Sequence, residues 1–219
     1  MNHDNALTGV YFGIKDQSSV HMLKILYWTV GLWAFAALLG GAMDAFNQPD
    51  VPPVALGIFL LAPIVGFILA YELSPGFKHA VDQIPLWMIT VAHLWRLVGL
   101  GFVIGVLIHV LPPQFGYPEG FGDVIAALFC VPLAIAIRGN RRSSGLRTAF
   151  VVWNVYGLID LLSAISMGIL YSNGPLGVLR GDVSTALMVT FPVNLIPTFF
   201  VPLFILLHLL AIKRSRELA

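Results

Sequence analysis

With 58% apolar residues, 11% charged residues and a mean hydropathy of +0.87, the 219-residue chain lies far from a soluble domain, where about 25% of side chains are charged. Its net charge of +1 points to neither nucleic acid nor an acidic partner, and its single cysteine, Cys130, excludes an internal disulfide and cysteine-based zinc or iron–sulfur sites. Cys130 lies in an apolar run and reads as an inert core thiol.

Residues 1–22 carry His3, Asp4, Lys15 and Asp16, with no basic start leading into an apolar run and a small-residue cleavage site. They read as a cytoplasmic N-terminal segment, with the first membrane helix serving as an uncleaved insertion signal. Five apolar stretches are long enough to cross a bilayer core, which takes roughly 20 helical residues: Leu23 to Met43, Pro52 to Ala70, Ile84 to Leu111, Ala149 to Ser172 and Leu187 to Ile212. Val124 to Ile137 is shorter but wholly apolar and reads as a further span, the fourth in chain order. The expected fold is therefore all-α, a polytopic bundle of six transmembrane helices over residues 23–212, followed by a basic cytoplasmic tail, 213–219.

The basic residues support this count, since short cytoplasmic loops gather Lys and Arg. With the N-terminus inside, Lys15, Lys24, Lys78, Arg138, Arg141, Arg142, Arg147, Lys213, Arg214 and Arg216 fall on the inner face, and only Arg180 falls outside. Omitting the short span would put the arginine-rich loop and the C-terminus on opposite faces. The expected topology is N-in and C-in, the partner is the lipid bilayer, and Arg138, Arg141 and Arg142 are placed to meet anionic lipid head groups.

Arg96 is the twelfth basic residue and stands in the middle of an apolar span, where a lone guanidinium is costly and calls for a partner. It lies twelve residues beyond Ile84, and Asp160 lies eleven beyond Ala149, so at about 1.5 Å per residue both are about 16–18 Å deep. An Arg96–Asp160 ion pair is predicted. His93, three residues before Arg96, and Tyr156 and Ser163, flanking Asp160 at i−4 and i+3, share the corresponding helix faces. These five residues define a candidate buried polar site, in which Asp160 and His93 exchange protons and Arg96 holds an anion or tunes the carboxylate; a purely structural polar network is the competing reading. Asn154, on another face, is expected to make an interhelical hydrogen bond.

His93 and His208 are the one pair of intramembrane histidines suited to clamp a haem, because His93 and His109 are sixteen residues, or about 24 Å, apart on one helix. Asp123 and Asp182 stand where the fourth and sixth helices should begin and read as N-caps. Asp44, Asp50 and Glu119 belong to outer loops that lack basic residues, an acidic vestibule or a plain effect of topology; His109, Glu119 and Asp123 form a weaker metal candidate without zinc-motif spacing. Pro192, Pro197 and Pro202 recur every five residues and kink the last helix, freeing carbonyls that Asn194 and Thr198 are placed to satisfy. Gly99-Leu100 followed by Gly122-Asp123-Val124 is echoed by Gly157-Leu158 followed by Gly181-Asp182-Val183, a faint parallel repeat. No phosphate-binding loop, dinucleotide fingerprint, nucleophile elbow or HExxH is present, and nothing argues for nucleic acid.

Three segments carry a resemblance. Arg96 to Asp123, with Leu111-Pro112 and Gly120-Phe121-Gly122-Asp123, Asn154 to Leu170, with Gly157-Leu158-Ile159-Asp160-Leu161-Leu162, and Ile196-Pro197-Thr198-Phe199-Phe200-Val201-Pro202 resemble a family of uncharacterised six-helix bacterial inner-membrane proteins. The resemblance implies the fold and a multi-pass inner-membrane location and brings no activity, substrate or cofactor. The functional expectation is a non-enzymatic membrane protein that binds or passes a small solute or proton through the polar centre. Two alternatives stand beside it, a haem- or pigment-associated subunit of a larger assembly using His93 and His208, and an intramembrane enzyme on lipid or isoprenoid with Asp160 and His93 as acid and base.

Overall fold

A computed structural model describes residues 16–219. Among these residues, six helices are long and apolar enough to cross a membrane: Gln17–Ala42, Val54–Leu73, Leu86–Leu107, Pro113–Arg138, Ser144–Leu170 and Ile196–Leu218. The first, α1 (Gln17–Ala42), starts before its apolar stretch because Asp16 caps it, accepting from the backbone N–H groups of Ser18 and Ser19 at 3.2 and 3.0 Å. The hydroxyls of the same serines also donate to Asp16 and, with those amides, hold its carboxyl below the usual carboxylate range. Residues 17–22 of the expected N-terminal segment are thus helical, Asp16 caps them, and residues 1–15 lie outside the described residues.

α2 (Val54–Leu73) leads through Ser74, whose hydroxyl caps Phe77 N, into the short α3 (Pro75–Asp82). The third span is wound in three ways: α4 (Leu86–Val91), a 3₁₀ segment over Ala92–Gly99, and α5 (Leu100–Leu107). A 3₁₀ winding brings residues three apart into line, and the buried residues of that segment are His93, Arg96 and Gly99. α6 (Pro113–Arg138) and α7 (Ser144–Leu170) follow, the latter capped by Ser143. The sixth span opens with a π-helical turn, Ile196–Phe200, continues as α8 (Val201–Arg214) and ends in a 3₁₀ turn, Ser215–Leu218.

Four expectations on element boundaries are corrected here. The short fourth helix is in fact 26 residues long, because Pro113 starts it at a position where a missing N–H costs nothing and Gly116, Gly120 and Gly122 let it lie against its neighbours. A side chain at Gly116 would strike Phe102 and Val106, and one at Gly120 would come within 2.8 Å of the Gly99 carbonyl oxygen. Asp123 is therefore mid-helix and caps nothing. Asp182 caps nothing either, since it stands in the 171–195 connection, where Ala186–Val189 makes only a 3₁₀ turn, and the sixth span begins at Ile196. The repeat accordingly breaks down in its second half, because a Cβ on Gly181 would meet nothing within 4 Å among the described residues, whereas one on its counterpart Gly122 would collide with Asp160.

At the basic end of the bundle, the C-terminus is tied down. Lys213 pairs with Glu72, Arg214 Nη1 donates to the Ile84 carbonyl at 2.6 Å, Ser143 N donates to the Leu218 carbonyl at 3.0 Å, and Leu218 is buried. Residues 213–219 are thus docked, and do not form a free tail. A core of Tyr71, Leu86, Ile89, Phe150, Trp153 and Leu210 closes this end. Outward-facing residues such as Trp28, Leu32, Phe35, Leu61 and Ile135 are large, apolar and exposed, a surface suited to lipid.

Candidate functional site

The 3₁₀ segment of the third span turns Arg96 fully into the bundle, where each nitrogen of its guanidinium finds a partner. Nε donates to Asp123 Oδ1 of α6 at 2.7 Å, Nη2 donates to Asp160 Oδ2 of α7, and Nη1 faces His208 Nε2 of α8 at 3.1 Å and the Gly157 carbonyl at 3.4 Å. The expected Arg96–Asp160 pairing is present. A second carboxylate, Asp123, shares the same cation, and the planar fork of arginine suits it to bridge both. Four spans are thereby joined through one side chain.

His208 is itself positioned from behind. Asn154 Nδ2 donates to the Phe150 carbonyl at 2.8 Å, which leaves Asn154 Oδ1 to accept from His208 Nδ1, also at 2.8 Å. His208 Nε2 is then the lone-pair nitrogen and accepts from Arg96. Glycines make the approach of these groups feasible: a Cβ on Gly157 would collide with His208 and Arg96, one on Gly122 with Asp160, and one on Gly99 with Asp123.

The other expected members are nearby but joined differently. Tyr156 donates to the Gly122 carbonyl at 3.3 Å, and Ser163 donates to Glu119 Oε1 at 2.8 Å, so neither bonds Asp160. His93 is wholly buried, stacked on His208 with ring centroids 3.9 Å apart and edged by Trp153, and among the described residues neither of its ring nitrogens has a hydrogen-bond partner. That stacking does not fit axial ligation of a haem, in which two imidazoles point their nitrogens at one iron from opposite faces of the macrocycle. His208 also spends both ring nitrogens on Asn154 and Arg96. His109 is exposed at the end of the third span, and His109, Glu119 and Asp123 do not assemble into a group able to hold a metal among the described residues.

Two cavities flank the centre. The larger, about 1060 Å³ including its open mouth, runs from Phe46–Val51 and Ser172–Gly174, at the end of the bundle away from the basic loops, down to Glu119, Asp123 and Asp160. Its walls are otherwise mainly apolar and include Ile196 and Pro197 of the π turn. The smaller, about 370 Å³, lies between Trp95, Arg96, Phe200 and Phe204. His93 lines neither.

Sequence reasoning missed Asp123, Glu119 and His208 as members of this centre. The spacing Glu119, Asp123 at i, i+4 within a glycine-rich segment was the available sign that both carboxylates share a helix face.

Over the described residues, fold and site together define an all-helical protein with six helices apolar enough to cross a membrane and an interior network of one arginine and two aspartates. The chain matches the DUF8737 family, a domain of unknown function, over residues 53–216, and belongs to that family. No curated protein and no solved structure matches it. The family match begins just before α2 and leaves α1 outside.

Proposed function

We propose that this is a multi-pass inner-membrane protein, with both termini cytoplasmic, whose larger cavity binds a small solute from the outer side, with the Arg96–Asp123–Asp160 centre at its floor handling the solute or a proton during passage. The observation that carries this reading is the cavity itself, which leads from the mouth to Glu119, Asp123 and Asp160 at mid-bundle and does not include the Phe150–Trp153–Leu210 core at the basic end. The distribution of Lys and Arg and the exposed apolar girdle support the topology. Exposed Arg138, Arg141 and Arg142 at the opposite end suit anionic lipid, with Arg138 also lying over the Trp87 ring at 4.9 Å. The π turn of the sixth span, whose Ile196 and Pro197 belong to the cavity wall, supplies the element that flexes.

The enzyme alternative has less support, because His93 lines neither cavity and cannot share a bound substrate with Asp160 without rearrangement. The proposal is tested in two stages. Small molecules that raise the melting temperature of the purified protein should lose that effect in Ala164→Trp, which fills the cavity, and their uptake into proteoliposomes should fall at least tenfold in folded Asp160→Asn. Uptake unchanged in both variants would remove the reading.

A further inference from the structure

Among the described residues, the lining of the larger cavity contains three carboxyl groups and no lysine, arginine or histidine. Arg96 stands behind this wall: its side chain has 0% exposed surface, while those of Asp123 and Asp160 keep 17% and 10%. An entering solute therefore meets carboxylates. One guanidinium is shared by the two aspartates and matches the charge of only one of them, and Glu119 has no cation of its own among the described residues.

Glu119 adds an independent sign of a missing ligand. Its Oε1 accepts from Ser163, but Oε2 is buried without a hydrogen-bond partner among the described residues, although the residue is in the wall of an open cavity. A buried carboxylate oxygen left unpaired costs stability, and a donor supplied by a ligand removes that cost. The same cavity is lined by Phe46, Leu56, Phe102, Phe115 and Ile165, which suit an apolar body and offer nothing to a hydrated inorganic ion.

We infer that the cavity takes a protonated amine with an apolar body, its charge facing Glu119 and Asp160, its N–H donating to Glu119 Oε2 as that carboxyl turns to face it, and its body against Phe102, Phe115 and Ile165. This rests on the reading of the cavity as a solute site. A solute carrying a carboxylate or phosphate would be repelled by the same three groups.

The test uses the full chain in lipid nanodiscs, with empty nanodiscs subtracted, and four probes of one shape: phenethylamine, phenethyl alcohol, phenylpropionate and phenethyltrimethylammonium. Titration calorimetry should show the amine binding about tenfold or more tightly than the alcohol, and the carboxylate not binding. The trimethylammonium probe, which keeps the charge and loses the N–H donors, should bind more weakly than the amine in the unaltered protein. Glu119→Gln should weaken the amine about tenfold with an unchanged circular dichroism spectrum. If the alcohol binds as tightly as the amine and Ala164→Trp abolishes both, the cavity reading stands and the amine inference falls. Equal binding of the amine and its trimethyl analogue would remove the role of Glu119 as acceptor. If no probe binds above empty nanodiscs, the amine inference is overturned together with the cavity reading.

Discussion

The indole N–H of Trp33 donates to the carbonyl oxygen of Thr198 at 3.0 Å, and Thr198 is the residue whose carbonyl Pro202, four positions on, leaves without a backbone donor. The peripheral α1 thus repairs the break in the sixth span. Asn194, one turn earlier, does the reverse, donating its side chain to the Ala37 carbonyl at 2.9 Å from a position pressed against Gly41. Trp33→Phe keeps an aromatic ring against Phe199 and removes only the donor, so it should lower stability by about 1 kcal/mol in mild detergent. In a Pro202→Ala background, where the helix regains its own N–H, the same substitution should cost less. Equal costs in both backgrounds, measured by denaturant unfolding, would show that the hydrogen bond does not serve this purpose.

Arg96 bridges two carboxylates and a histidine, so its replacement should be severe and poorly rescued by charge alone. Arg96→Met should lower stability by about 3 kcal/mol, since it leaves two largely buried carboxylates without their cation. Arg96→Lys should remain well below the native protein, because one ammonium cannot reach Asp123, Asp160 and His208 together. Fluorescence-detected size exclusion after graded heating reads both effects; a lysine variant as stable as the native protein would contradict the geometry.

Glycine positions offer a sharper contrast than charge. Gly157→Ala drives a methyl group into His208 and Arg96, and should lower the yield of folded protein and its melting temperature strongly, equivalent to about 2 kcal/mol or more. Gly101→Ala and Gly66→Ala, where a Cβ would meet nothing within 4 Å, should be neutral or slightly stabilising. Comparable loss at all three positions would mean that α7 is not held this close to α8.

Topology is checked with single cysteines introduced after Cys130→Ala, itself a change at a fully buried site. In intact cells, an impermeant maleimide should label Asn173→Cys at the cavity mouth and leave Arg141→Cys unlabelled until the membrane is opened. The opposite pattern would invert the orientation of the whole bundle and place the cavity mouth in the cytoplasm.

Hydropathy is a local property, and so the six apolar stretches, the one-sided Lys and Arg and the shared depth of Arg96 and Asp160 were all legible along the chain without knowledge of contacts. What depends on contacts was not. Residues 113–123 look like a loop because proline and glycine are poor helix formers, yet they extend α6 because those glycines let it lie against the third span and α7, which brings Glu119 and Asp123 to the centre. The same holds for the 3₁₀ winding that aligns His93 with Arg96 and for the tautomer of His208, which its neighbour Asn154 selects. Only tertiary structure decided that Arg96 serves two aspartates rather than one, because a charge in an apolar bundle is satisfied by whichever groups the packing brings within reach.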